Sequence, residues 1–462
     1  MTSGIGRRRF LQTAAALAVS GIAPASAAAP AKLSDIDHII ILMKENRSFD
    51  HYFGSLRGVR GFDDPRAARP GGGSDFRQPD PGNPDGYALP FRLDTQRTSA
   101  QRLPDLSHSW EAQHAAWNGG AMGNWLPAHR AADGASGPLT MGYLTRDDLP
   151  FYYALADAFT ICDGYHCSVF GPTRPNRYYL MTATLDPEGR NGGPAINNAI
   201  RTYSWETYPE RLERAGVSWR IYHDLDDYGC NVCRFFTQYR GLPRTSPLFD
   251  NALRNRPFYE LLRDLRTGNI PQVTWIVPPS TVTEHPDYLP AAGEHHTNSI
   301  LQALWSNPAL WAKTALILNY DENDGQFDHV APPTPEPDAA GEFVNSQPIG
   351  LGYRVPCLVI SPFSRGGYVC SETFDHTSTM RLIEARFGLE VANLSKWRRE
   401  TCGDITAAFG FGAPAAFDLP ALPGTGPALQ QAKARIMDLP PPTVPTDQEM
   451  PRQEPGIRQR RG

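Results

Sequence analysis

The 462-residue chain has little that would place it on nucleic acid or within a membrane. Its formal net charge is -5, so a polyanion such as nucleic acid is not an expected partner. After residue 30 no run is long and apolar enough to cross a bilayer, which takes about 20 residues. Internal repeats and a second Cys-x-x-Cys motif are also absent. These absences favour a soluble mature protein with no transmembrane segment.

The N-terminus has the pattern of an export signal. Three arginines at 7–9 precede Phe10 and Leu11, an alanine-rich apolar stretch follows, and Ala25 and Ala27 offer an A-x-A cleavage site. The pattern predicts a twin-arginine signal peptide over residues 1–29. A membrane anchor is the alternative, but the apolar stretch is short for one. We therefore expect the twin-arginine export machinery as a partner and a secreted or envelope-associated protein that folds before export.

Seven cysteines in an exported chain permit disulfides, although sequence does not decide the pairing. The GCNVC motif favours a local disulfide or free thiols over a zinc or redox site. The candidate pairs are Cys230 with Cys233, Cys162 with Cys167, and Cys357 with Cys370, leaving Cys402.

Apolar strand-like runs alternate with helical patterns along most of the chain. This rhythm predicts an α/β fold with a mostly parallel sheet sandwiched by helices. We expect it to span one domain over residues 30–420. Residues 421–462 are rich in proline and lack periodicity, which predicts a tail that is disordered or draped on the surface.

Two predicted strands are followed directly by oxygen-bearing side chains. Glu45 and Asn46 follow the apolar run IDHIIILMK, while Asp321 and Glu322 follow TALILNY. Ligands of open α/β sheets bind at the carboxyl ends of strands. Because clustered carboxylates repel one another by several kcal/mol at low dielectric, a bound cation is the simplest remedy. Oxygen ligands of this kind suit hard divalent ions such as magnesium, calcium or manganese.

The segment GPTRPNR is a candidate for a nucleophile. It opens a predicted helix, where backbone amides suit a phosphate oxyanion and Arg177 can add positive charge. Thr173 would need activation, which a cation supplies by lowering the pKa of the hydroxyl. The alternative is that Thr173 simply caps the helix.

Histidines in loops could supply proton transfer. A histidine beside acidic or hydroxyl neighbours can protonate a leaving oxygen or bind a phosphate oxygen. Any one of them alone could equally be structural. The candidates are His108, His285, His329 and His376.

Several sequence blocks together resemble the bacterial phospholipase C family, which includes certain acid phosphatases and plant non-specific phospholipases C and is related to the alkaline phosphatase fold. The blocks are ENRSFDHYFGSLRGVRGF, HCSVFGPTRPNRYYLMTAT, VTWIVPP with TEHP, LNYDENDGQFDHV, and FDHTSTMRLIEARFG. The resemblance runs from about residue 35 to about residue 409. The β-rich C-terminal extension of the longer bacterial enzymes has no counterpart here, so the resemblance does not extend to membrane docking or haemolysis.

The resemblance implies an alkaline-phosphatase-like fold and a set of roles. It implies that Thr173 bridges one divalent metal ion and the phosphorus as nucleophile. His108 and His285 are expected at the phosphoryl group and the leaving oxygen. The metal would be held by Glu45, Asn46, Thr173, Asp321 and Glu322, and the supporting or substrate-contacting residues would be Arg177, Asp328, His329 and His376.

The activity that the resemblance implies is hydrolysis of phosphatidylcholine-type phospholipids at a membrane surface, giving diacylglycerol and a phosphorylated headgroup. The metal could be calcium, magnesium, manganese or zinc. An acid phosphatase that uses the same threonine on phosphomonoesters is the main alternative. A metal-binding protein without turnover is a third possibility, against which the combination of Thr173 with both carboxylate pairs argues.

Overall fold

The computed structural model describes Met1, residues 29–65 and residues 76–462. The predicted signal peptide falls on residues 1–29 and so lies almost entirely outside this described part. Within it, no helix has the length and apolar character needed to cross a membrane.

An eight-stranded sheet forms the centre of the described chain, in the order β14-β13-β6-β12-β9-β1-β8-β7, and two-stranded pairs accompany it. The strands are β1 (His38–Lys44), β2 (Gln78–Pro79), β3 (Tyr87–Ala88), β4 (Phe91–Arg92), β5 (Gly142–Tyr143), β6 (Thr160–Cys162), β7 (Trp219–Tyr222), β8 (Val273–Ile276), β9 (Thr314–Tyr320), β10 (Phe343–Val344), β11 (Gln347–Pro348), β12 (Cys357–Ile360), β13 (Val369–Cys370) and β14 (Arg460–Arg461).

Along the chain, helices lie between many of these strands. They are α1 (Phe49–Phe53), α2 (Trp110–Trp117), α3 (Trp125–Asp133), α4 (Pro150–Ala158), α5 (Thr173–Thr182), α6 (Tyr208–Ala215), α7 (Pro247–Ala252), α8 (Phe258–Thr267), α9 (Pro290–Trp305), α10 (Pro308–Trp311), α11 (His376–Phe387), α12 (Lys396–Thr401) and α13 (Thr425–Asp438). Short 3-10 turns join several of them.

The central strands β1 and β9 explain why the site residues meet. Both are apolar runs buried almost throughout, as expected for strands covered on both faces. They pair in parallel from His38 opposite Thr314 to Lys44 opposite Tyr320. The next residues, Glu45 and Asp321, therefore leave the sheet side by side at its carboxyl edge.

The predicted fold class is confirmed, with one detail that periodicity could not supply. Strand β12 runs antiparallel to both of its neighbours, β9 and β6, whereas the other pairings in the large sheet are parallel. A buried apolar strand has the same hydrophobic pattern in either direction, so the pattern does not indicate whether the strand runs parallel or antiparallel to its neighbours.

The proline-rich segment 421–462 lies along the surface. Helix α13 packs on α9, where the Thr425 hydroxyl bonds to His295 and Asn298 at 3.0 and 3.1 Å. At its end β14 joins the edge of the large sheet beside β13.

The disulfide pairs suggested by sequence proximity are wrong for this structure. All seven cysteines lie in the described part of the chain and all are unpaired thiols. Cys162 faces Cys370 in the register of β6 and β13, and its thiol also interacts with Cys357. Sheet pairing, rather than spacing along the chain, decides which thiols are neighbours.

A buried ion-pair network around Asp375 gives a pH prediction. Burial opposes the charge of Asp375, but Arg398, at 2.7 Å, together with the hydrogen bonds from Thr377 and Ser168 and the charge of His376, outweighs burial and lowers the carboxyl pKa below its usual 3.8. The stabilisation is therefore present above about pH 4 and is lost as the pH falls through the lower folded value. Chemical denaturation between pH 2 and 5 should show stability falling with acid. In Asp375→Asn the dependence of the free energy of unfolding on pH should be shallower by up to one proton. An unchanged pH dependence would contradict the assignment.

Candidate active site

Asp321 is the best-anchored carboxylate at the sheet edge. Its Oδ1 accepts hydrogen bonds from the backbone amides of Asn46 and Glu322 at 3.1 and 2.9 Å, and its Oδ2 accepts one from Arg177 Nε at 3.0 Å. The His376 ring donates to the Asp321 carbonyl at 2.7 Å. The backbone of both strand ends and one helix are thus fixed around this residue.

Glu45 and Asn46 present oxygens that protein atoms leave without partners. Glu45 Oε2 and Asn46 Oδ1 are buried and accept no hydrogen bond. Asn46 has a φ of 58°, in the left-handed region that costs a non-glycine residue energy, and such strain collects at functional sites. Burial, followed by the charge of Asp321, raises the pKa of Glu45 to about 8. Without a cation, the two carboxylates therefore resist carrying charge together.

A second group of carboxylates surrounds His108. Asp105, His108 and Asp324 offer ligand atoms within 4.8 Å of one another, which is a possible metal-binding arrangement. His108 Nε2 also lies 3.8 Å from Glu322 Oε1, a buried oxygen without a hydrogen-bond partner. Burial disfavours the charged ring, but Glu322, Asp324 and Asp105 together outweigh it and raise the pKa of His108 well above its usual value.

His285 lies on the other side of Asp105. The Asp105 Oδ1 atom is 3.6 Å from both His285 Nε2 and His108 Nδ1, so one carboxylate connects the two predicted histidines. Burial is the main reason that the pKa of His285 is lowered to about 4. The pKa values of the two neighbouring imidazoles are therefore shifted in opposite directions.

The residue before His285 anchors its loop in the core. Glu284 accepts hydrogen bonds from the hydroxyls of Tyr52, Tyr152 and Tyr320 and pairs with Lys44 Nζ at 3.2 Å, all in full burial. Its φ of 77° is another left-handed conformation. A β-carbon at Gly293 would lie 1.9 Å from the Glu284 carboxylate, so only glycine fits there.

Helix α5 begins at Thr173 and carries Arg177 to the sheet edge. Arg177 lies four residues after Thr173, on the same face, and its guanidinium contacts Asp321 at 3.0 Å and Glu45 at 3.5 Å. Thr173 is the first helical residue, while Pro172 is the N-cap, and no side chain caps the helix. The capping alternative for Thr173 is therefore wrong.

The remaining predicted residues form supporting networks. His376 lies between Tyr165 and Asp321, bonding the first at 3.1 Å and the second through its carbonyl. His329 and Asp328 belong to a different buried cluster, in which Asp50 accepts from His329 at 2.6 Å and Arg354 bridges Asp50 and Asp328. None of the described hydrogen bonds or ion pairs of Asp328 and His329 reaches Glu45, Asn46 or Asp321.

Three residues of the site were missed by the sequence analysis. Glu284 directly precedes His285 and Asp105 lies three residues before His108, so an acidic residue close to a predicted histidine was the available signal. No signal in the sequence indicated Cys230. Its thiol donates to Glu45 Oε1 at 2.5 Å, because the loop after β7 folds over the sheet edge.

The donor set fits a divalent cation. Glu45, Asn46 and Glu322 each carry a fully buried oxygen without a partner, and an unpaired buried oxygen is costly unless a cation or proton satisfies it. These oxygens come from two adjacent strand ends. Among the described residues, the acidic and histidine side chains whose ligand atoms lie within 4.8 Å of one another are nevertheless Asp105, His108 and Asp324.

Comparison with known proteins assigns the chain to a family. Residues 36–390 match the model described as "Phosphoesterase family", and the chain belongs to that family. Non-hemolytic phospholipase C of Burkholderia pseudomallei is 44% identical over 92% of this chain and 66% of its own length. Phospholipase C B of Mycobacterium tuberculosis is 44% identical over 89% of this chain and 87% of its own. Non-specific phospholipase C5 of Arabidopsis thaliana is 28% identical over 77% and 71%.

The predicted family resemblance is thereby confirmed. The chain spans just under two thirds of the length of the non-hemolytic relatives that it matches. Among solved structures, a protein in the alkaline phosphatase superfamily from Vibrio parahaemolyticus aligns with a TM-score of 0.33 and 10% identity, over 58% of this chain and 65% of that one. The family assignment does not depend on this distant likeness.

Proposed function

We propose that the chain is an exported phospholipase C that hydrolyses phosphatidylcholine-type lipids to diacylglycerol and a phosphorylated headgroup. The observation that carries the proposal is the helix bearing Thr173, which Arg177 ties to Glu45 and Asp321. Relatives that are 41–44% identical over most of this chain are named phospholipase C, which supports the same activity. The phospholipid at a membrane surface is then the substrate.

The proposed reaction is a double displacement. The Thr173 oxygen forms a bond to phosphorus as the bond to the diacylglycerol oxygen breaks, and water then hydrolyses the phosphothreonine. His108, whose pKa is raised by its carboxylate neighbours, is suited to donate a proton to the departing oxygen. His285, neutral at pH 7, is suited to accept one. Opposite protonation of two neighbouring groups is the arrangement that acid–base chemistry needs.

Glu45, Asn46, Thr173, Asp321 and Glu322 are the proposed holders of one divalent cation, with Ca, Mg, Mn or Zn as candidates. When bound, it would offset phosphoryl charge and lower the pKa of a nearby hydroxyl. Arg177 orients Asp321, and His376 fixes the backbone beside it.

Product analysis tests the function directly. The purified, metal-loaded protein should release diacylglycerol and phosphocholine from phosphatidylcholine. It should also cleave p-nitrophenylphosphorylcholine faster than p-nitrophenyl phosphate. The reverse preference would favour the acid phosphatase alternative, and no turnover of either compound would favour a metal-binding protein without activity.

Removing an anionic ligand should weaken metal binding. In Asp321→Asn and Glu45→Gln a neutral group of similar size replaces a carboxylate, so metal affinity should fall at least about tenfold and activity should recover partly in excess metal. Elemental analysis after dialysis measures the bound metal. Asp163→Asn, a buried carboxylate that pairs with Arg60, is the matched control and should retain full stoichiometry. Unchanged metal content in both site variants would exclude the proposed ligand set.

Export should depend on the paired arginines. A twin-arginine receptor reads these side chains, whereas a general secretion signal needs only positive charge. Replacing Arg7 and Arg8 by lysine should therefore leave the precursor in the cytoplasm, as measured by fractionation and immunoblotting. Normal export and cleavage near Ala27 in the double variant would show that the chain travels by another route.

A further inference from the structure

A largely apolar cavity of about 690 Å³ lies beside the loop that carries His285. Helices α8, α9 and α13 and the segment between β8 and α9 form its walls. Its volume is in the range of cavities that bind small ligands. The apolar lining residues include Phe258, Val282, Leu289, Ala292, Leu429 and Ile436.

The cavity and the candidate active site share one short segment of chain. Asp287 and Tyr288 line the cavity, and both also contact His285: the Asp287 carboxylate lies 3.6 Å from its ring, and the Tyr288 amide donates to its carbonyl at 2.6 Å. Within the same segment, the Thr283 carbonyl accepts from the Glu45 amide at 2.9 Å. A substrate whose phosphoryl group lies at His285 would therefore have its ester substituent close to the cavity.

Large exposed apolar side chains adjoin two of the cavity-lining residues in sequence, and another lies beside His285. Tyr259 and Met437, which are 70% and 81% exposed, directly follow the lining residues Phe258 and Ile436 in sequence. Tyr228 is 40% exposed, and its ring lies 5.2 Å from that of His285. Large exposed apolar groups beside an apolar cavity indicate a hydrophobic ligand rather than a water-soluble one.

We propose that this cavity binds the acyl chains of the phospholipid substrate. The inference rests on the proposed function and adds the subsite for the apolar half of the substrate. Helix α13, which supplies Leu429 and Ile436, lies beyond the matched residues 36–390. The acyl subsite is thus completed by a segment outside the family match.

Charge substitution in the cavity wall tests the proposal. Leu429→Glu and Ile436→Glu should each raise KM for monomeric dihexanoylphosphatidylcholine at least about tenfold, because a charge in the cavity wall opposes an apolar chain. Turnover of p-nitrophenylphosphorylcholine, which has no acyl chain, should stay within about twofold. Ala434→Glu places the same charge on an exposed position of α13 outside the cavity and is the matched control. If Leu429→Glu fails to fold, Leu429→Ala is used in its place.

A binding measurement separates this proposal from the proposed function. Wild-type protein should bind dioctanoylglycerol by calorimetry, and the cavity variants should lose that binding. If the protein binds this lipid but hydrolyses no phosphatidylcholine, the cavity assignment stands and the function fails. If the variants bind dioctanoylglycerol and turn over the monomeric lipid like wild type, the cavity is not an acyl site. The same conclusion follows if the variants lose activity on vesicles but not on the monomeric lipid.

Discussion

Replacing Thr173 by alanine should lower phosphodiester hydrolysis at least about a thousandfold while leaving the fold unchanged. The side chain is 8% exposed, opens α5 and makes no capping bond, so its loss removes an attacking oxygen but little packing. Thr173→Ser keeps a hydroxyl and should retain part of the rate. Steady-state kinetics on p-nitrophenylphosphorylcholine and circular dichroism measure the two effects.

Thr182→Ala is a matched control at the other end of the same helix. The Thr182 hydroxyl bonds to the Tyr178 carbonyl at 2.8 Å and accepts from Trp205 at 3.0 Å, so its loss should cost about 1 kcal/mol of stability and little activity. Substantial turnover by Thr173→Ala with normal metal content would remove Thr173 from the role of nucleophile. Equal loss in both variants would point to a general effect on α5.

The strand ends of the site were predictable because two local signals agreed. Buried apolar runs of strand length were each followed at once by oxygen-bearing residues, and parallel pairing of β1 and β9 then placed Glu45 beside Asp321. Thr173 was predictable in the same way, as a hydroxyl at a turn that opens a helix. Their proposed roles in catalysis and metal binding stay predictions.

Tertiary neighbours were not predictable from these patterns. Asp328 and His329 follow the same strand as Asp321, yet the chain turns and places them with Asp50 and Arg354. Cys230 comes to Glu45 from a loop 185 residues away. The three thiols of β6, β12 and β13 are neighbours only because of the strand order. Such contacts depend on topology, which residue spacing does not encode.

Glu284 should be the most sensitive residue outside the groups proposed to react. Glu284→Gln removes the anion that accompanies buried Lys44, and burial already lowers the pKa of that lysine. Breaking one partner of a buried ion pair costs about 3–5 kcal/mol, so the free energy of unfolding should fall by that amount. Since Glu284 also holds the backbone of His285, kcat should fall as well.

Glu294→Gln tests whether that loss is specific to the ion pair. Glu294 is also buried on α9, but burial raises its pKa to about 8, so it is mostly protonated at pH 7 and a neutral amide resembles it. We expect a cost below about 1 kcal/mol for this variant. In Lys44→Met with Glu284→Gln no unpaired ammonium remains, and the double variant should be less destabilised than the sum of the singles. Additive losses in urea denaturation would mean that Glu284 acts through its tyrosine hydrogen bonds rather than through the charge of Lys44.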